Sequence, residues 1–251
     1  MAKITCNFIS YTLHRAVDIT VVIPSVTCPD FILKKKEELT HEHEPYPVLY
    51  LLHGYANNHA TWNGYSMVEL FAEERQICVV MISAENKFYW DHGKEDNYFT
   101  FLSEELPCFI ENTFHVSTRK EDCYICGLSM GGYGSLLHGL SNPDMYAAIG
   151  SLSGAVEGAA GNNSPIPSEL IEKDIKERKK IPPLYIACGN DDFLIEPNKK
   201  FVEFIKENKL DCTYEFVDGY QHEWRFWNLE VERFMDWIPR TDAYAGTKRS
   251  V

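Results

Sequence analysis

A chain of 251 residues with 45% hydrophobic side chains can bury one sizeable core. The balance of 37 acidic against 24 basic residues gives a formal charge of −13, which repels nucleic acid and anionic membranes and excludes both as expected partners. No apolar run reaches the roughly 20 residues that cross a bilayer, and Met1-Ala2-Lys3 leads into an alternating pattern rather than a secretion signal, so a cytoplasmic protein is expected.

Residues 4–9 and 12–23 alternate or run apolar (Ile4, Cys6, Phe8, then Val17, Ile19, Val21) and predict an opening antiparallel pair. Residues 28–46 are polar and charged, end at Pro45 and Pro47, and read as a solvated connection. Its His41-x-His43 pair reads as surface histidines; no metal site is expected. Val48-Leu49-Tyr50-Leu51-Leu52 is unbroken apolar sequence, as in a strand buried on both faces of a parallel sheet. It runs into His53-Gly54-Tyr55, a turn able to present backbone N–H groups above the sheet edge. Helical spacing over 65–74 precedes strand 77–83, and the loop beyond is aromatic (Phe88, Tyr89, Trp90). Residues 99–114 have helical spacing again, with Pro107 kinking or restarting the helix.

Cys123-Tyr124-Ile125-Cys126 then leads into Gly127-Leu128-Ser129-Met130-Gly131, which fits G-x-S-x-G between a strand and a helix. In that context the serine sits at the tip of a sharp, strained turn, with the free N–H groups of the next helix behind it. Ser129 is the expected nucleophile. Cys123 and Cys126, three apart on a strand, point to opposite faces, which argues against a redox or zinc pair. The eight cysteines lie mostly within apolar runs and read as reduced, buried thiols.

Helix 130–140 and strand 146–153 follow. Residues 154–182 form a short, polar, cap-like segment with a helix from Ser168 to Lys180. Strand 184–188 ends in Gly189-Asn190-Asp191-Asp192-Phe193. Helix 197–208 and strand 212–217 lead to His222, a last helix carries Trp224, Trp227, Phe234 and Trp237, and 240–251 reads as a frayed tail. Strands alternating with helices over 1–251 predict a single domain, a mostly parallel sheet with helices on both faces.

Ser129, Asp191 or Asp192, and His222 thus fall at the carboxyl ends of strands, where open α/β sheets bind ligands. Serine, acid, histidine is the order used by α/β hydrolases. A serine hydroxyl attacks only once an imidazole takes its proton, and a carboxylate on the far ring nitrogen fixes the tautomer. Asp192 is the expected acid, because the apolar pair Phe193-Leu194 would pack its turn inward while Asp191 adjoins the polar Asn190. The N–H groups of Tyr55 and Met130 are expected to form the oxyanion hole. Trp62, Tyr89, Trp90 and Trp224 are expected to line the substrate mouth.

At these residues the chain resembles the esterase D-like family of α/β hydrolases, in its tributyrin esterase and acetyl- or feruloyl-esterase branch. The resemblance is carried by Leu52-His53-Gly54 with Asn58 and Trp62, by Glu105-Leu106-Pro107, by Gly127 to Gly134, by Cys188-Gly189-x-x-Asp192-Phe193 and by His222-x-Trp224. It implies an α/β-hydrolase fold and cofactor-free hydrolysis of short acyl esters, acetyl or cinnamoyl, through Ser129, Asp192 and His222. The S-formylglutathione hydrolases of the sister branch usually have Ser-Gly-Leu-Thr-Cys where His53 to Asn57 stand, and histidine at Tyr133. Both departures argue against a glutathione thioester. An acyltransferase using the same triad and a non-catalytic binding scaffold are the rival readings; the sequence does not give the oligomeric state.

Overall fold

The computed structural model describes residues 1–39, 43–157 and 164–246. Strands β1 (Ala2–Ser10) and β2 (Arg15–Ile23) form the predicted antiparallel pair, in register from Ala2 against Ile23 to Ser10 against Arg15. β3 (Val48–Leu52), β4 (Cys78–Ile82), β5 (Cys123–Leu128), β6 (Ala148–Leu152), β7 (Leu184–Gly189) and β8 (Cys212–Val217) complete an eight-stranded sheet in the order β1-β2-β4-β3-β5-β6-β7-β8. From β4 to β8 all neighbours are parallel; β2 joins β4 antiparallel. β3 is buried at every position, as its unbroken apolar run requires.

Period-two alternation splits these strands between two cores. Val48, Tyr50 and Leu52 face a cluster closed by α6 (Leu106–Thr113), α7 (Met130–Ser141), α8 (Pro167–Glu177) and α9 (Ile195–Glu207), through Ile110, Leu136, Ile171 and Ile205. Leu49 and Leu51 face a second cluster closed by α3 (Thr61–Tyr65), α4 (Val68–Arg75) and α10 (Trp224–Trp237), through Trp62, Phe71 and Phe234. Cys123 packs against the first cluster and Cys126 lies in the second, as the spacing of three predicts.

Residues 28–46 are not a plain polar connection. They hold α1 (Cys28–Leu33) and α2 (Lys36–Leu39). Thr27 and Asp30 close a reciprocal capping box at α1, and Pro29 fits its first turn. His41 lies outside the described residues; the His43 ring rests against Tyr46. The predicted helix over 99–114 is a composite of a single turn α5 (Tyr98–Thr100), a π turn (Phe101–Glu105) and α6. Pro107 has no N–H to return to the preceding turn, and the looser π register falls immediately before it. Glu105, buried in that π turn, accepts bonds from the Ser10 hydroxyl and from the Tyr11 and Thr12 N–H groups, which fastens the β1–β2 turn to the helix.

The predicted fraying of 240–251 does not hold for its described part. Arg240 pairs with the buried Asp242 carboxylate and donates to the Arg75 carbonyl. The Tyr244 hydroxyl donates to the Glu44 carbonyl at 2.6 Å, with its ring stacked on Tyr46. Residues 247–251 lie outside the described residues. Among the described residues no helix is long and apolar enough to cross a membrane.

Candidate active site

β5 ends at Leu128, and Ser129 follows with φ +53° and ψ −114°. A non-glycine residue held there costs about 1–3 kcal/mol, so the surroundings must force it. They do so by close approach: a Cβ at Gly127 would lie 2.3 Å from the Gly131 carbonyl oxygen, and one at Gly131 would lie 2.4 Å from that of Leu52. No larger residue fits at either position without moving backbone.

The turn after β3 flanks this serine. A Cβ at Gly54 would meet Leu128 Cδ1 at 2.5 Å and stand 3.5 Å from Ser129 Cβ. His53 is buried and staples that turn: its Nδ1 donates to the Gly54 carbonyl at 2.7 Å, while its Nε2 accepts the Ala84 N–H at 2.9 Å. Accepting at Nε2 requires a neutral ring, and burial drives the pKa down to about 4. The Met130 N–H opens α7 and has no intrahelical acceptor. Tyr55, one residue past Gly54, is exposed. Among the described residues neither amide has an acceptor.

The other two residues arrive from the next loops along the sheet. Asp192 follows β7 and His222 precedes α10. The Ser129 hydroxyl donates to His222 Nε2 at 2.9 Å, and His222 Nδ1 donates to Asp192 at 2.9 Å to Oδ2 and 3.1 Å to Oδ1. Burial of Asp192 raises its pKa, but bonds from His222, the Leu194 N–H and the Ser153 hydroxyl outweigh this and hold it below the usual carboxylate range. Asp191 is exposed and bonds the Tyr220 carbonyl only through its backbone.

Asp192 therefore faces His222, but not for the packing reason expected. Phe193 does not turn inward: it is 75% exposed, with its ring 4.6 Å from that of His222. The aspartate is buried by its own turn, where Oδ1 takes the Leu194 N–H. Asn198 fixes that turn further by donating to both the Leu194 and Gly154 carbonyls at 2.9 Å.

The four aromatic residues expected at the mouth separate. Trp62 and Tyr89 are fully buried, the Trp62 indole donating to the Leu52 carbonyl and the Tyr89 hydroxyl to that of His53. Both are packing and strapping residues beneath the turn at His53–Tyr55, with no surface to offer a ligand. Trp90 is half-buried against Phe99. Trp224 is half-buried, stacked on Tyr65 and edge-on to Trp62 and Trp227. Phe193, Ser153 and Trp227, which do touch the constellation, are not among the residues expected to face the substrate. The apolar residue after the acid was the signal available for Phe193; the other two are brought in by contacts between distant elements.

The strand order, with a strained serine at the tip of the β5–α7 turn, defines an α/β-hydrolase fold of the serine-hydrolase class. Residues 36–236 match the family model described as "Putative esterase". The chain is 33% identical to an acetyl esterase of Caldicellulosiruptor saccharolyticus over 96% of its own length and 99% of that protein. It is 29% identical to an endo-1,4-beta-xylanase/feruloyl esterase of Xylanibacter ruminicola, over 76% of this chain but 26% of that longer protein. Among solved structures, the fluorophosphonate-binding serine hydrolase FphF of Staphylococcus aureus superposes with a TM-score of 0.82 at 25% identity, covering 94% of this chain and 97% of that one. The chain belongs to this esterase family and is a carboxylic ester hydrolase of the serine type.

Proposed function

We propose that this esterase hydrolyses short-chain acyl esters, acetyl esters foremost, through a Ser129–His222–Asp192 triad and an acyl-enzyme. The observation that carries the reading is the unbroken hydrogen-bonded line from Ser129 Oγ through both ring nitrogens of His222 to a buried, ionised Asp192. In this mechanism His222 Nε2 takes the Ser129 proton as Oγ attacks the ester carbonyl carbon. Asp192 keeps the ring in the Nδ1–H tautomer and steadies the imidazolium. The tetrahedral oxyanion lies between the N–H groups of Tyr55 and Met130, the second reinforced by the positive end of α7. Collapse expels the alkoxide, which takes the Nε2 proton and leaves an acyl-Ser129. Water then repeats the sequence, with His222 as its base, and releases the carboxylic acid.

Acetyl as the acyl group is supported by the acetyl esterase that matches nearly end to end. Flat cinnamoyl-type groups are the second class, supported by the exposed Phe193 ring beside His222 and by the exposed Tyr55, 6.1 Å from Phe88. A fluorophosphonate probe should label one peptide, that containing Ser129, and abolish p-nitrophenyl acetate turnover in step. Labelling elsewhere, or full turnover after labelling, would refute the assignment.

A further inference from the structure

The triad acid is backed by a residue from a strand that contributes nothing else to the triad. Ser153 stands just beyond β6, fully buried, with φ +47°. Its N–H donates to the Ala187 carbonyl of β7 at 2.6 Å, which pins this left-handed conformation beside the acid turn. The Trp227 indole N–H, from α10, donates to Ser153 Oγ at 3.1 Å. An indole nitrogen only donates, so Ser153 is the acceptor in that bond and its own hydroxyl proton remains to be placed. Asn198 ties the neighbouring Gly154 carbonyl to that of Leu194 in the acid turn, at 2.9 Å each, so the groups the hydroxyl faces are the Asp192 carboxylate and the Cys188 thiol. Burial, with the Asp192 charge beside it, pushes that thiol up to about 12, so it stays protonated and the carboxylate is the stronger acceptor. Trp227 also sets its ring edge-on to His222, with centroids 4.9 Å apart at 86°. One tryptophan thus touches the histidine directly and reaches the acid through Ser153.

We propose that Trp227, Ser153 and Asp192 form a buried relay that positions His222: the indole fixes the Ser153 hydroxyl, which donates to the acid and sets how much of its charge the imidazole feels. Ser153 and Trp227 are positioning residues, and the proposal rests on the triad reading above. The sign of the effect follows from the carboxylate. A donor at its back withdraws charge from His222, so losing that donor strengthens the pair of carboxylate with imidazolium and moves the acidic limb of the rate profile upward. The titratable groups around the carboxylate are His222 and Cys188, with Lys199 of α9 acting on the Cys188 thiol.

The test is the pH profile of kcat/KM for p-nitrophenyl acetate. Ser153→Ala should lower the optimum value roughly tenfold and move the acidic limb up by about half a pH unit, the scale expected when an ionised group loses one of several donors. Trp227→Phe keeps an aromatic edge for His222 and removes the indole N–H; it should move the limb the same way by less. The double variant should be no worse than Ser153→Ala, because the indole acts through the hydroxyl. Should the alanine variant fail to fold, Ser153→Gly removes the same hydroxyl and suits the left-handed backbone. An unmoved acidic limb, or losses that multiply in the double variant, would overturn the relay. Failure of the triad reading is separate, and would show as retained activity in Ser129→Ala.

Discussion

Protonation of His53 offers a direct measure of how firmly the turn beside Ser129 is held. This ring is 1% exposed and its pKa in the folded protein is about 4, against roughly 6.5 for an unfolded histidine. The folded value is depressed, so above both values the ring is neutral in either state and contributes no pH dependence. As pH falls below about 6.5 the unfolded chain binds a proton that the native ring refuses, and stability declines until the pH reaches the folded value. At pH 5 the two values imply a native state about 2 kcal/mol less stable than at pH 7.5 from this residue. His53→Gln keeps an acceptor for the Ala84 N–H but cannot titrate. Urea unfolding of both proteins at pH 7.5 and pH 5.0 isolates the effect, since every other titrating group cancels in the difference. The variant should be less stable at pH 7.5 yet lose about 2 kcal/mol less than the wild type on acidification. An identical acid loss in the two proteins would mean that His53 is not held neutral by the fold.

Ser129→Ala should reduce kcat by about 10³–10⁶ and leave the unfolding midpoint unchanged; activity within tenfold of wild type would remove Ser129 from the mechanism. Asp192→Asn should cost roughly 10⁴ in kcat by favouring the wrong histidine tautomer, whereas Asp191→Asn, at an exposed site, should change stability by less than about 0.5 kcal/mol and leave kcat near wild type; the opposite ranking would reassign the acid. Phe193→Ala should raise KM several-fold for cinnamoyl esters and little for acetate, with no loss of thermal stability because the ring is exposed; equal effects on both esters would assign the ring to packing. Across p-nitrophenyl esters, kcat/KM should fall from acetate and butyrate to palmitate, and a steady rise along that series would refute the short-acyl reading.

The sheet was legible because both of its signals are local. Unbroken apolar runs at 48–52 and 123–128 mark buried strands, and a glycine-flanked serine between strand and helix marks the elbow. Asp192 rather than Asp191 meets His222, but the inward packing expected of Phe193 is not the cause, since that ring faces outward and the Leu194 N–H fixes the carboxylate. Trp62 and Tyr89 were misjudged because an aromatic near a site in sequence can as well lie beneath it, and both hydroxyl and indole found backbone carbonyls to satisfy. The capping box at Thr27 and Asp30 was readable and was masked by the lysines that follow. Contacts such as Ser153 with Trp227, or Tyr244 with Glu44, join residues 74 and 200 positions apart, and no periodicity encodes them.

The sheet is unevenly protected, and one of its two exposed edges, β8, leads into the loop that holds the histidine. Every residue of β7 is buried, whereas β8, paired on one side only, keeps some exposure along its whole length. Strands at such an edge open in partial, sub-global excursions that cost less free energy than unfolding the whole protein. An excursion that released β8 would carry off His222 while leaving Ser129 in its turn between β3 and β6. Inactivation and loss of structure are therefore separate events. In rising urea, ester hydrolysis should fade at lower concentrations than the far-ultraviolet circular dichroism of the sheet and helices, and amide exchange along β8 should report the same lower free energy.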